Sequence, residues 1–345
     1  MISWDIAVEL KGMIVNLPIL SICIPTYNRS ACLRECLESV LSSVKGHQEQ
    51  IEIVISDNAS TDDTNSVVSE FRKRYPWIRY NRNDINIGAE RNCYAVAGLA
   101  SGEYVWIFGD DDKMTDETIQ SVLKSIELGY GLIICNFSRW SRDFSTVLKQ
   151  RFILINQDEE FDNANSLMKR FGLNLGYITC FITKKSVFLS VPPIEYEPYV
   201  EYGFPHVYSI YAGIAKNCHA VYISAPLFCN RGENSFPDWK KFFITGSSLV
   251  FEALLEKGYT QNAVYGAKHQ VLKDIILPGK IIVRKAKGDA DLKSVARLLY
   301  PHYKRDWLFW VVCLPVLYVP VPKFLVRFAM AIARAVFPKR FSKEE

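Results

Sequence analysis

The stretch Gly102-Glu103-Tyr104-Val105-Trp106-Ile107-Phe108-Gly109-Asp110-Asp111-Asp112 decides how the rest of the chain is read. Glu103 to Phe108 is a short apolar run rich in aromatic and β-branched residues, the pattern of a buried strand, and it ends in three consecutive carboxylates. Three adjacent Asp at the mouth of a strand repel one another and raise their own pKa values unless a cation neutralises them. A hard divalent ion, Mg²⁺ or Mn²⁺, takes one or two protein carboxylates and completes its shell with phosphate oxygens and water. A diphosphate is then the natural ligand; the plain alternative is a solvated acidic loop.

Outward from this stretch, strands and helices alternate. Ile19 to Ile24 reads as a buried strand, followed by a helix with Leu33, Leu37, Val40 and Leu41 on one face. Ile51 to Ile55 is a second strand, followed by a helix through Val67, Val68 and Phe71. A third helix carries Tyr94, Val96 and Leu99, and a fourth, capped by Thr115, carries Ile119, Val122, Leu123 and Ile126. Gly131 to Phe137 then returns as a strand. This alternation predicts an α/β, Rossmann-like, mostly parallel sheet flanked by helices, whose ligands bind at the carboxyl ends of the strands. Those ends are Pro25-Thr26-Tyr27-Asn28-Arg29, Ser56-Asp57-Asn58-Ala59-Ser60-Thr61-Asp62 and the triple Asp. Each alone has an ordinary reading as a turn or a helix cap. Together they form the rim of one pocket, in which Asp57 can accept from a base, Thr26 and Asn28 offer hydrogen bonds, and Pro25 and Tyr27 present flat apolar surface.

Composition fits a chain with a substantial core. Of 345 residues, 49% are hydrophobic and 23% charged, which excludes a disordered tail or a disulfide miniprotein. Nine cysteines, an odd number with no zinc-like spacing, read as reduced core residues of a cytosol-facing protein. Residues 1–17 contain Asp5 and Glu9 and read as a leader rather than a secretion signal. Charge is divided unevenly: 25 Lys and Arg against 31 Asp and Glu through residue 267, then 16 against 6. The basic C-terminal quarter needs its own explanation.

The motif series Ser21-Ile-Cys-Ile-Pro-Thr-Tyr-Asn-Arg29, Ile-Ser-Asp57-Asn-Ala-Ser-Thr-Asp62, Asn86-Ile-Gly88 with Arg91-Asn92, and Gly-Glu-Tyr-Val-Trp-Ile-Phe-Gly-Asp-Asp-Asp112 resembles glycosyltransferase family 2, whose members have the nucleotide-sugar-binding GT-A fold. The Gly-Asp-Asp-Asp form and the later Phe-Pro-His and Arg-Gly-Glu-Asn-Ser stretches are similar to bacterial polysaccharide enzymes of the abequosyltransferase-like kind. The resemblance implies a GT-A domain over 18–240, with a nucleotide-binding half (18–135) and an acceptor half (136–240). It implies donor contacts from Pro25, Thr26, Tyr27, Asn28, Asp57, Asn58, Asn86, Gly88, Arg91, Asp110 and Asp111, and a metal motif at Asp110 and Asp112. Gly109 stands where the family commonly has an acid. An inverting transfer is implied, with a carboxylate as base at the start of the apolar helix that follows Ile194 to His206. Glu201 is the first candidate and Glu197 the second; either also reads as a helix-start charge favoured by the dipole. His206 reads as structural.

Gly176 to Ile182 reads as a strand on the acceptor side. Arg231, in the loop Arg231-Gly232-Glu233-Asn234-Ser235, reads either as a diphosphate clamp or as a surface turn. Residues 241–345 form a helical region. Its apolar run Trp307 to Pro322, broken by prolines, is too short to span a bilayer. Within 305–341, Phe324, Leu325, Phe328, Ile332 and Phe337 alternate with Lys323, Arg327, Arg334, Lys339 and Arg340, which predicts a peripheral helix on an anionic membrane surface. The expectation is a glycosyltransferase at the cytoplasmic face of the inner membrane, acting on a nucleotide-sugar donor and a lipid-linked (polyprenyl diphosphate) glycan. No nucleic-acid recognition module is present. A membrane scaffold of the same fold is an alternative. A nucleotidyltransferase is a further one, but it would require glycines after the first strand.

Overall fold

The structure, a computed structural model, describes residues 17–232, 238–286 and 292–318. The N-terminal leader and the basic stretch Lys323 to Arg340 lie outside the described residues. The chain begins with β1 (Leu20–Thr26), α1 (Ser30–Ser43), β2 (Ile51–Asp57), α2 (Thr64–Arg74), β3 (Arg79–Arg82), α3 (Ala89–Leu99) and β4 (Tyr104–Ile107). There follow β5 (Lys113–Met114), α4 (Thr118–Glu127), β6 (Leu132–Trp140), β7 (Val147–Lys149), β8 (Glu159–Phe161), α5 (Ala164–Phe171), β9 (Phe181–Lys184), α6 (Pro205–Ile214) and β10 (Ala220–Arg231). One ten-stranded sheet runs in the order β3-β2-β1-β4-β9-β6-β10-β5, with β7 on β6 and β8 on β10.

β1, β2 and β4 are parallel neighbours, as the alternation predicts, β3, a short polar strand that the sequence reading lacks, joins them parallel to β2, and β2 is buried along its whole length. The sheet as a whole is mixed. β9 inserts antiparallel between β4 and β6, and β5, β7 and β8 also pair antiparallel. The reason lies in the path of the chain. Two 3₁₀ turns, Gly172–Gly176 and Ile178–Cys180, bring it to the carboxyl ends of the parallel strands, where Thr179 meets Asp112. β9 then runs down the sheet until Thr183 and Lys184 pair with the amino-terminal residues of its neighbours. The strand expected over Gly176 to Ile182 is therefore mostly turn, and only Phe181 and Ile182 of it are extended.

Helix starts also differ from the local reading. Thr115 does not cap α4, which begins at Thr118; the Thr115 hydroxyl donates to the Leu227 carbonyl (3.2 Å), and the Thr118 hydroxyl donates to the same oxygen. Asp62 serves two helices at once, accepting Ser30 N–H at the start of α1 (2.9 Å) and Thr64 N–H at the start of α2 (3.0 Å). At the opposite end of the sheet, buried Glu52 gathers Ser21 Oγ (2.5 Å), Arg79 (2.9 Å) and Ser101 Oγ (2.8 Å), tying β1, β2 and β3 together.

The C-terminal region is helical, with α7 (Ser247–Ala253), α8 (Gln261–Val271), α9 (Leu292–Tyr303) and a helical stretch to Tyr318. α8 packs on α5, and α7 packs on α6. Val250, Val271, Val295 and Cys313 join the buried residues of the sheet in one continuous core. Among the described residues, no helix is long and apolar enough to cross a membrane. None of the nine cysteines is in a disulfide, and Cys23, Cys36, Cys135, Cys180, Cys218 and Cys313 are buried.

Candidate active site

The loops after β1, β2 and β4 meet at one edge of the sheet. Asn28, at a left-handed φ of 51°, accepts Thr61 N–H on its side-chain oxygen (2.7 Å), and its own N–H donates to Ser60 Oγ (2.9 Å). The first two loops are thereby stitched together. Asn58 plays the same role toward the loop between β3 and α3. Its amide donates to Asn86 Oδ1 (2.8 Å), and its carbonyl accepts from Ile87 N–H (3.0 Å) and Asn83 (3.1 Å), while Gly88 N–H donates back to Asn86 (2.9 Å). Asn28, Asn58, Asn86 and Gly88 thus hold the rim in shape. Asp57 is fully buried, with Ser60 N–H (2.8 Å) and Tyr80 OH (2.7 Å) donating to it and Arg82 at 3.4 Å. Tyr27 is 43% exposed and leaves an aromatic surface beside this rim; Pro25 is half-buried.

The three carboxylates behave differently because their surroundings differ. Asp110 accepts from Thr26 Oγ1 (2.8 Å) and from Arg29 (3.0 Å), whose guanidinium also holds Asp111 (3.0 Å). Burial pushes the Asp110 carboxyl up to about 6, against the relief that Arg29 supplies. Asp112 lies deeper, accepting from Thr179 Oγ1 (2.7 Å), Asn230 Nδ2 (2.9 Å) and Arg231 N–H (3.3 Å), and burial together with the repulsion of Asp111 lifts it to about 7. Asp111 is the most open of the three. Gly109 has a steric reason: a Cβ there would lie 3.0 Å from Asp112 Oδ2, 3.2 Å from Thr179 Oγ1 and 3.3 Å from Asp111 Oδ1. An acid at that position would crowd the cluster it precedes and add a further negative charge to it.

Among the described residues, no three His, Cys, Asp or Glu side chains converge as a complete metal cage. That donor set suits Mg²⁺ or Mn²⁺ held by one or two carboxylates, with the remaining ligands from phosphate and water. Arg29, which bridges Asp110 and Asp111, neutralises the same charge.

A cavity of about 260 Å³ opens behind the cluster, lined by Asp111, Asp112, Arg139, Tyr177, His206 and Glu90 among others. Arg231 also lines it and is anchored there, donating to the Asp111 carbonyl (3.1 Å), to Glu35 (3.0 Å) and to the Arg142 carbonyl, with its guanidinium 4.4 Å from the Phe144 ring centre. Of the loop that follows it, residues 233–237 lie outside the described residues. Buried His206 sits beside the Gly176 carbonyl (3.2 Å), and burial lowers its pKa to about 4, so it is neutral. An adjoining cavity of about 520 Å³ contains Glu197 and Glu201. Arg91 donates to Glu197 (2.9 Å), and Lys241 pairs with Glu201 at 3.1 Å and holds that carboxyl below its usual value. Both acids nominated from sequence are therefore ion-paired, and Arg91 faces Glu197.

Arg29, Glu90, Arg139, Thr179 and Asn230 were not singled out by the sequence reading. Arg29 carried a signal, being the last residue of the first strand-end motif. Glu90 stands within the Asn86 to Asn92 motif and Thr179 within the Gly176 to Ile182 stretch, whereas Arg139 and Asn230 stand in segments with no motif of their own; only the fold gathers the four.

Comparison with known proteins agrees with this geometry. The model described as "Glycosyl transferase family 2" matches residues 21–189. Abequosyltransferase RfbV of Salmonella typhimurium is 31% identical over 63% of this chain and 67% of its own length. The GalNAc(5)-diNAcBac-PP-undecaprenol beta-1,3-glucosyltransferase of Campylobacter jejuni is 28% identical over 45% of this chain, and the match spans half of that relative. Among solved structures, residues 1–349 of S. aureus TarS in complex with UDP align with a TM-score of 0.61 over 94% of this chain and 93% of that one, at 13% identity, a likeness of fold.

Proposed function

This chain is a glycosyltransferase belonging to family 2, and on that premise we propose that it moves one sugar from a nucleoside-diphosphate donor to a lipid-linked polyprenyl diphosphate glycan in bacterial surface polysaccharide synthesis. The observation that carries the reading is the cluster Asp110, Asp111 and Asp112 between Arg29 and Arg231 at the carboxyl ends of the parallel strands. A diphosphate there meets carboxylates suited to a divalent cation and guanidinium groups suited to its oxygens. The exposed ring of Tyr27 suits stacking on the nucleotide base. The acceptor class is supported by the name of the Campylobacter relative, and the polysaccharide setting by that of the Salmonella one.

Mg²⁺ or Mn²⁺, held through Asp111 with Asp110 or Asp112, would neutralise charge on the departing diphosphate. The chain's own residues make that site rigid. Thr26 and Arg29 fix Asp110, while Thr179, Asn230 and the Arg231 N–H fix Asp112, so little reorganisation is needed as charge develops. The acceptor oxygen attacks the anomeric carbon as the bond to the diphosphate breaks, a single inverting displacement that leaves no covalent enzyme intermediate. Peripheral attachment at the cytoplasmic membrane face, through the basic C-terminal segment, completes the reading.

The test is thermal stabilisation of the purified protein by UDP, GDP, CDP and dTDP, each with and without Mn²⁺ or Mg²⁺. The expected result is a metal-dependent shift with one nucleotide. Absence of any shift from folded protein would sink the donor site and favour a scaffold of the same fold.

A further inference from the structure

A displacement of this kind needs a proton acceptor on the far side of the anomeric carbon from the leaving group. Glu197 and Glu201 are each paired with a cation, which leaves their carboxylates occupied. Glu90 is not. It stands in the first turn of α3, and among the described residues its side chain has neither a hydrogen bond nor an ion pair. It lines both cavities, the one containing Asp111 and Asp112 and the one containing Glu197 and Glu201.

Two glycine-dependent and cation-dependent features orient the cavity. Gly203, at φ +75°, faces Glu90, and a Cβ added there would lie 3.7 Å from Glu90 Oε1 and 2.5 Å from the Phe242 ring. Glycine keeps the ground beside the carboxylate open. On the Asp112 side lies Arg139, whose Nε is buried without a hydrogen-bond partner, next to Asn230, its register partner across β6 and β10. A buried donor left unmet is costly and is satisfied by an incoming acceptor such as a phosphate oxygen. The cavity therefore combines groups for an anionic leaving group with, among the described residues, a Glu90 carboxylate that makes no hydrogen bond or ion pair.

We propose that Glu90 is the general base of the transfer, an assignment that rests on the donor-site reading above. Its carboxylate takes the proton of the acceptor hydroxyl while that oxygen bonds to the anomeric carbon. The bond from that carbon to the diphosphate oxygen breaks, and its electron pair leaves with the nucleoside diphosphate.

The experiment follows nucleoside diphosphate release from UDP-, GDP-, CDP- and dTDP-hexoses with Mn²⁺ and water as acceptor, in wild type, Glu90→Gln and Glu90→Asp. Nucleotide-induced thermal shifts are recorded in parallel. For the donor that wild type hydrolyses, Glu90→Gln is expected to lower kcat on the order of 10²–10⁴-fold. Donor KM and the nucleotide shift stay unchanged, the acid limb of the rate-pH profile disappears, and Glu90→Asp retains part of the rate. A Glu90→Gln enzyme with kcat within about threefold of wild type, or with its loss confined to KM, overturns the assignment while leaving the donor site standing. A folded wild type that responds to no nucleotide overturns both.

Discussion

Asp110, Asp111 and Asp112 could be picked out before any fold was known, because three carboxylates after an apolar strand are a pattern that local chemistry alone makes conspicuous. What each one does could not, since it depends on distant partners: Thr26 and Arg29 for Asp110, Thr179 and Asn230 for Asp112. Arg29→Ala removes the cation that bridges Asp110 and Asp111. It should cost metal-free protein about 1–2 kcal/mol, with Mn²⁺ recovering more stability in the variant than in wild type, as denaturant titration would register. Asp112→Asn should leave the fold intact and abolish the metal-dependent thermal shift by nucleotide. His206 gives a pH signature. Its folded pKa, near 4, lies below its ordinary value of 6.5, so the unfolded chain binds more protons between those two pH values. Its neutral burial is therefore without penalty above about pH 6.5, and stability is lost as pH falls from there toward 4, by a total on the order of 2–3 kcal/mol. Urea midpoints of wild type and His206→Asn across that range should diverge in that direction; parallel curves would refute it.

Elements were legible wherever periodicity was strong, as in β1, β2, α1 and α4, whose inward faces are the residues the spacing selects. Their joints were not. Asp62 begins two helices because α1 and α2 start side by side, a fact of packing that no local window contains. Asp62→Ala should accordingly cost about 2 kcal/mol, roughly two caps rather than one, in chemical denaturation. A loss below about 0.5 kcal/mol would mean that neither bond contributes. The local reading placed β9 too early in the chain for a similar reason. Gly176 to Cys180 has the composition of a strand, yet the need to bring Thr179 to Asp112 folds it into 3₁₀ turns.

At the scale of the whole molecule, the sheet and the C-terminal helices share one core. Around its far end Trp307, Trp310, Val311 and Tyr318 are exposed, next to exposed Lys304 and Arg305. Full-length protein should co-sediment with vesicles containing anionic lipid and be released as salt rises, because the attraction of basic residues is screened within a Debye length. Equal binding to neutral vesicles would contradict an electrostatic attachment. The sequence by itself determined the parallel core of the sheet and the acidic centre, because these rest on periodicity and on residues adjacent in the chain, and its motif series carried the resemblance to the family. Only the tertiary structure decided that the sheet is mixed, that Asn28 binds Ser60 and Thr61 while Asn58 binds Asn86, that Glu197 and Glu201 are paired, and that Glu90 and Arg139 line one cavity. The physical reason is that charge, burial and hydrogen bonding depend on distance in space, and these partners are separated by tens to hundreds of residues along the chain.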